Sequence, residues 1–348
     1  MAAGDGILWA DGFDLYTGTE EFDEDYTVDN SGTRAVYGAG EASAGTSYTR
    51  HATKNGLYVN NNNRCPNIAF GGSYSHVIVG LGVRELHTTT TWNRFQFWEG
   101  TTLHVYVRYD YTTKQFTVYR GDGTLLGTSS ALPYSIHSSF GFVEIRVKVD
   151  NSAGEVEMRF NGSSTPILNL TSQDTRNGGT SGVLDSASFA SAPCYVDDLY
   201  VVDASVGTFL GDVRIEGCLP TGAGNYTGWT PSAGSNYQCV DENNPNGDTD
   251  YVSASAAATA DTYAMENVTP TTGTVYAVQT VVRARKDDGG TREIRPRLRL
   301  SGTDTNGTTV ALGTTYRYWK ERFTTKPGGG AWSISDVNSV EAGQELVT

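Results

Sequence analysis

The sequence predicts an all-β chain of two β-sandwich domains of jelly-roll type, and three observations carry that expectation. Short runs alternate apolar with polar residues, Gly, Asn, Ser and Thr clusters separate those runs at roughly 8–12 residues, and no stretch keeps a helical period beyond two turns. Composition agrees, since 41 Gly, 20 Tyr and 12 Phe stand against 3 Met, a bias toward strands and turns. The length of 348 residues exceeds one ordinary domain at roughly 100–200 residues each. Hydrophobic residues reach only 38%, but the aromatic side chains supply the burial that a disordered chain lacks.

The elements follow in order. Leu103, Val105, Val107 and Tyr109 share one face of a strand, and after a turn through Asp110 to Lys114 a second strand covers 115–119, which reads as a hairpin. The run from Phe142 to Val149 alternates strictly with Glu144, Arg146 and Lys148 on the outward face. Its turn through Asp150 leads into Val156–Phe160 and then Asn161-Gly162, a second hairpin. An apolar strand covers Tyr195–Val202, and composition shifts near 203–212. The boundary is therefore expected between a first domain at 1–203 and a second at 204–348. Strands are expected there at 274–285, 292–300 and 315–324.

The net charge of −14 argues against nucleic acid and anionic membranes as partners. Nine acids fall within the first thirty residues. Neither a basic n-region nor an apolar h-region opens the chain, and no apolar run approaches the ~20 residues of a membrane helix. The expectation is synthesis in a cytoplasm and no membrane insertion. Cys65, Cys194, Cys218 and Cys239 lack Cys-x-x-Cys spacing and form no ligand pattern with the five His, so neither a structural zinc nor any cofactor is expected.

The stretch from Phe142 to Gly162 resembles the central hairpin of concanavalin A-like, laminin-G-like jelly rolls. The run YVDDLYVVD at 195–203 resembles their closing strand, and LWADGFDLY at 8–16 resembles an opening strand, which in that fold lies beside the closing one. In that family, Asp197 and Asp198 would close the sheet edge through backbone contacts more often than bind metal. Together with Phe209–Ile215, Trp229-Thr-Pro and the ending from Trp332, the chain is similar to virion proteins of tailed bacteriophages. That resemblance implies a non-enzymatic structural component on the outside of a phage particle, in a tail, collar, fibre or capsid decoration. It would be a homo-oligomer, with trimers favoured, assembled with other virion proteins. The alternatives are a carbohydrate-binding adhesin for host glycan and, behind it, a glycan hydrolase.

Retaining hydrolysis needs two carboxyls about 5–5.5 Å apart; the nearest run, Glu155-Val-Glu157, lacks the further acids, and Glu144 and Glu157 instead fit a solvated sheet face paired with Arg146 and Arg159. The cluster at Glu20–Asp25 reads as a solvated acidic loop and not a calcium loop. No Gly-x-Ser-x-Gly or phosphate loop occurs. Trp92 and Trp98 are candidates for stacking on sugar, with core packing as the alternative. Arg283, Arg285, Arg295, Arg297 and Arg299 form a basic stripe, either a solvated strand face or an assembly interface. Cys218 and Cys239 flank a loop that a disulfide would stabilise by roughly 3 kcal/mol, or all four thiols stay reduced.

Overall fold

The computed structural model describes residues 4, 6–15, 42–51, 54–59, 67–86, 93–178, 181–189, 193–243 and 245–348. Trp92, Cys65 and the acidic cluster at 20–25 lie outside the described residues. The chain forms two compact units, Gly6–Gly217 and, beyond it, Cys218–Thr348. The first runs past the expected boundary at 203, because residues 204–217 pack on its own sheet.

Among the described residues, fourteen strands build the first unit. They are β1 (Ile7–Asp11), β2 (Ala42–Gly45), β3 (Gly56–Val59), β4 (Asn67–Tyr74), β5 (His76–Glu85), β6 (Asn93–Glu99) and β7 (Thr102–Asp110). They continue as β8 (Gln115–Arg120), β9 (Leu125–Thr128), β10 (Gly141–Lys148), β11 (Gly154–Phe160), β12 (Leu168–Gln173), β13 (Leu184–Phe189) and β14 (Cys194–Asp203). An eight-stranded sheet has the order β12-β11-β10-β5-β14-β3-β2, with β1 also on β14. A second sheet, order β4-β13-β6-β7-β8-β9, is here called the meander sheet. Both hairpins and the pairing of the opening strand with the closing one, Ile7 opposite Val202, are as the sequence predicts.

Alternation places Val77, Val79, Leu81 and Val83 of β5 and Val143, Ile145 and Val147 of β10 on the face toward the meander sheet. Phe95, Phe97, Val105, Val107, Phe116 and Val118 meet them in one buried cluster. Each such side chain contributes about 1.5–3 kcal/mol on full burial. The other face of β5 carries Gly80 and Gly82, and both are there for close approach. A Cβ on Gly80 would lie 2.2 Å from the Tyr200 ring, and one on Gly82 would lie 2.1 Å from Arg50 Cδ.

The second unit adds β15 (Pro220–Thr227), β16 (Thr230–Pro231), β17 (Val252–Ser253), β18 (Thr259–Met265), β19 (Val278–Ala284) and β20 (Glu293–Leu300). β21 (Thr303–Asn306), β22 (Val310–Ala311), β23 (Arg317–Phe323) and β24 (Glu341–Leu346) complete it. The sheet order is β15-β18-β24-β20-β21 with β22 on β20, and β19 and β23 form a separate ladder. Leu298 and Leu300 of β20 share a small core with Phe323 of β23, Trp332 and Val340. One helical turn, α1 (Ile334–Val337), starts at Ser333, whose side chain accepts from the Asp336 N–H, an N-cap. The described residues are thus nearly all β, as predicted, and no helix among them is long and apolar enough to cross a membrane.

Candidate functional site

The outer face of the meander sheet is polar and aromatic where its inner face is apolar. Register sets Ser188 opposite both Asn67 and Gln96, Gln96 opposite Tyr106, and Tyr106 opposite Tyr119. One row therefore crosses five strands. The Tyr106 and Tyr119 rings stack with centroids 5.0 Å apart. The Arg108 guanidinium lies 5.1 Å from the first ring and 5.3 Å from the second, a cation–π arrangement. Ser188 Oγ donates to Asn67 Oδ1 at 3.1 Å. Trp98, opposite Ser186 in the next row, is half-buried, as are Gln96, Arg108 and Tyr119. Of the two tryptophans singled out from sequence, Trp98 therefore borders this row, while the Tyr106–Arg108–Tyr119 group went unnoticed. Its signal was present in YVRY at 106–109 and in Tyr119, where a hairpin register puts the rings side by side.

The outer face of the eight-stranded sheet is organised by buried carboxylates. Asp197 accepts from Arg50 N at 2.7 Å, Thr49 Oγ1 at 3.0 Å and Asp198 N at 2.9 Å. Asp198, held at a φ of 54°, accepts from Arg50 Nη1 at 2.7 Å and Ile215 N at 2.6 Å, and meets His51 Nε2 at 2.9 Å. Asp14 accepts from Asn55 N and Gly217 N. Burial, with Asp198 alongside, pushes the Asp197 carboxyl up to about 8. Burial likewise brings Asp14 up to about 6, against the opposing hydrogen bonds from Gly217 and Asn55.

His51, Asp197 and Asp198 lie close enough to share a metal ion, their ligand atoms within 4.8 Å of one another. Their oxygens, however, already accept N–H and O–H donors, and the Arg50 guanidinium stands where a cation would have to enter. The donor set suits a backbone clamp better than a metal.

Three other expectations need correction or detail. Glu144 does not face solvent: it is 1% exposed, and its carboxylate accepts from Tyr200 Oη and from Gly211 N at 2.8 Å. The cause is the 204–217 segment lying over it. Glu157 is also buried, yet pairs as expected with Arg146 at 2.5 Å and Arg159 at 2.7 Å. The predicted disulfide is not formed: Cys218 and Cys239 are not joined to each other. Cys239 ends a short 3₁₀ turn and donates to Ala233 O at 2.9 Å, so hydrogen bonds hold the loop that the crosslink was expected to hold.

The basic stripe is compensated within the second unit. Arg295 and Arg297 pair with Glu345, Arg299 pairs with Asp304 at 2.7 Å, and Tyr226 lies beneath Arg297 and Arg299. Arg285 pairs with Asp248 at 2.9 Å, and Arg283 lies 4.4 Å over the Tyr316 ring. In the first unit a further pair, Glu85 and Arg94 at 2.5 Å, is buried between the sheets. Burial pushes Glu85 up to about 7 against the attraction of Arg94.

No protein-family model matches the chain, and no curated protein matches it. Solved structures similar to it include a β-glucanase catalytic domain of glycoside hydrolase family 131 from Podospora anserina. That match has 10% identity and a TM-score of 0.35 over 58% of this chain and 98% of the other. A protein with a galectin-like fold from Bacillus subtilis matches at 12% identity and a TM-score of 0.33, over 60% and 100%. An endo-1,3-β-glucanase from Streptomyces sioyaensis matches at 11% and 0.29, over 57% and 96%. The expectation of a non-enzymatic component of a phage particle is overturned here: these relatives include glycoside hydrolase catalytic domains, and nothing among them points to a virion protein. Values of this size transfer no activity or ligand to this chain.

Proposed function

We propose that the first sandwich binds glycan on the outer face of its meander sheet. The observation that carries the reading is Arg108 laid across the stacked Tyr106 and Tyr119 rings with Gln96 opposite Tyr106; Arg108, Tyr119 and Gln96 are half-buried, whereas Ser188 and Asn67 farther along the row are buried and bonded to each other. A sugar ring presents an apolar C–H face and an edge of hydroxyls. Aromatic bodies with polar tips serve the first, and a guanidinium with five donors, amides and hydroxyls serve the second. Rigid strands hold these groups at fixed spacing, as recognition without large ordering cost requires.

A glycan array probed with the full chain, followed by titration calorimetry on the best ligand, tests this. Arg108→Ala is expected to weaken binding about tenfold or more, the ~1.4 kcal/mol of one good polar contact, with an unchanged melting profile. Recovery of the bound glycan in shortened form would add hydrolysis to recognition. Binding to no glycan, or binding indifferent to both Arg108→Ala and Tyr119→Ala, would remove the reading.

A further inference from the structure

After β14 the chain turns back and crosses the outer face of the eight-stranded sheet without pairing as a strand. Phe209, Leu210 and Val213 pack there on Ile78, Phe142, Tyr200 and Val202. Phe209 lies 4.0 Å beneath the Arg159 guanidinium. The polar attachment is unusual in using carboxylates as acceptors for the backbone of this strap. Gly211 N donates to Glu144, Ile215 N to Asp198 and Gly217 N to Asp14. Arg50 adds a clasp, reaching Asp198, Asp212 and Val213 O. Close approach is built in at Gly12, where a Cβ would lie 2.2 Å from Ile215 O.

We propose that residues 204–217 form a proton-coupled strap, closed over the outer face of the eight-stranded sheet in mild acid and opening more readily as the pH rises. The strap lies directly against Glu144 and Asp14, both of them buried. Burial disfavours the ionised form, and opening would return both groups to water and to ordinary carboxylate behaviour. Closure therefore takes up protons, and by linkage acid favours the closed form. Other groups facing these carboxyls do not cancel the effect. Glu144 faces Tyr200, Arg159 and Asp212, and still lies above its ordinary value through burial. Asp14 faces Lys54 and Asp198, and is likewise raised. Asp198 faces Arg50, His51 and Asp197. Opening would uncover an apolar patch of Ile78, Phe142, Tyr200 and Val202.

Hydrogen exchange of the full chain, read by mass spectrometry on peptides spanning 209–217 and corrected for intrinsic rates, tests the coupling. The strap's opening constant is expected to rise roughly tenfold per pH unit for each titrating carboxyl. The rise should begin near pH 4, and the share carried by Asp14 should end near pH 6. Glu144→Gln, which keeps an acceptor but cannot titrate, is expected to shallow the slope. A flat wild-type profile would overturn the proposal. So would strap protection equal at every pH to that of Val143, Ile145 and Val147 in β10, since the strap would then open only with the whole domain.

Discussion

Between the sheets of the first sandwich the packing is apolar from Phe97 to Ile145, with the Glu85–Arg94 pair the one charged contact described there. In the second domain, the face of β18 and β24 on the Leu298 side carries Asp261, Tyr263 and Gln344, all buried. Gln344 Nε2 donates to Tyr263 Oη at 3.0 Å, and Tyr263 donates to Asp261 at 3.1 Å. Asp261 also accepts from Trp229 N at 2.9 Å and Asn236 Nδ2 at 2.5 Å. A wide apolar core supplies its own burial and does not rest on any one loop. A core of five buried side chains needs its loop to be bonded down, and the 229–240 loop is.

Breaking that chain should have the largest effect. Asp261→Ala leaves the Trp229 N–H, the Asn236 amide and the Tyr263 hydroxyl without their acceptor in a buried site. At about 1–3 kcal/mol per orphaned group, a loss of about 3 kcal/mol or more is expected in the second domain's calorimetric transition, with the first domain's unchanged. A loss under about 1 kcal/mol would mean that apolar packing holds the loop.

The pH dependence separates the domains next. In the first, Asp197, Glu85 and Asp14 are raised to about 8, 7 and 6. A raised carboxyl means that the folded state binds its proton more tightly, so its contribution is fullest below the unfolded value and is lost as pH rises through the folded one. The first domain should therefore lose stability between about pH 4 and 8. In the second, Asp248 is held low by Arg285 and Tyr316, and Asp336 by Ser333 and Lys326. Their contribution is present above the ordinary carboxylate range and lost as pH falls below it, so acid should loosen this domain. Calorimetry at pH 3.5, 5, 6.5 and 8 checks both slopes, and parallel slopes would contradict the assignment.

The two domains also differ in what their sequences disclosed. Strict alternation made β7–β8, β10–β11 and β14 readable, because a period of two in a half-buried strand leaves one register. The strap was not readable. It has no periodicity, and what anchors it is backbone N–H, which every residue carries. The missed clue lay in β5, where VIVGLGV at 77–83 sets glycine at alternate outward positions and so announces that something must approach. Glu144 looked solvated because alternation tells which face a residue takes, not what later covers that face. Arg295, Arg297 and Arg299 share one face of β20, whereas Arg283 and Arg285 belong to β19 and the residue after it in a separate ladder; the partners Glu345 and Asp304 come from neighbouring strands that charge counting along the chain does not bring together.

That stripe should give the smallest effect. Arg299 and Asp304 keep 19% and 27% of their side-chain surface exposed, so water screens the pair, and exposed pairs are worth about 0.2–1 kcal/mol. Removing Arg299 does not isolate Asp304, which retains the Tyr226 hydroxyl at 2.6 Å and Arg297 at 3.9 Å. Tyr226 in turn keeps Arg297 at 4.8 Å from its ring after losing Arg299 at 5.4 Å. Arg299→Ala is therefore expected to cost under about 1 kcal/mol by chemical denaturation, and less in high salt. A loss above about 2 kcal/mol would show that Arg295, Arg297, Arg299, Asp304 and Glu345 act as one coupled network, and the contrast between a bonded interior and a merely neutralised surface in this domain would fall.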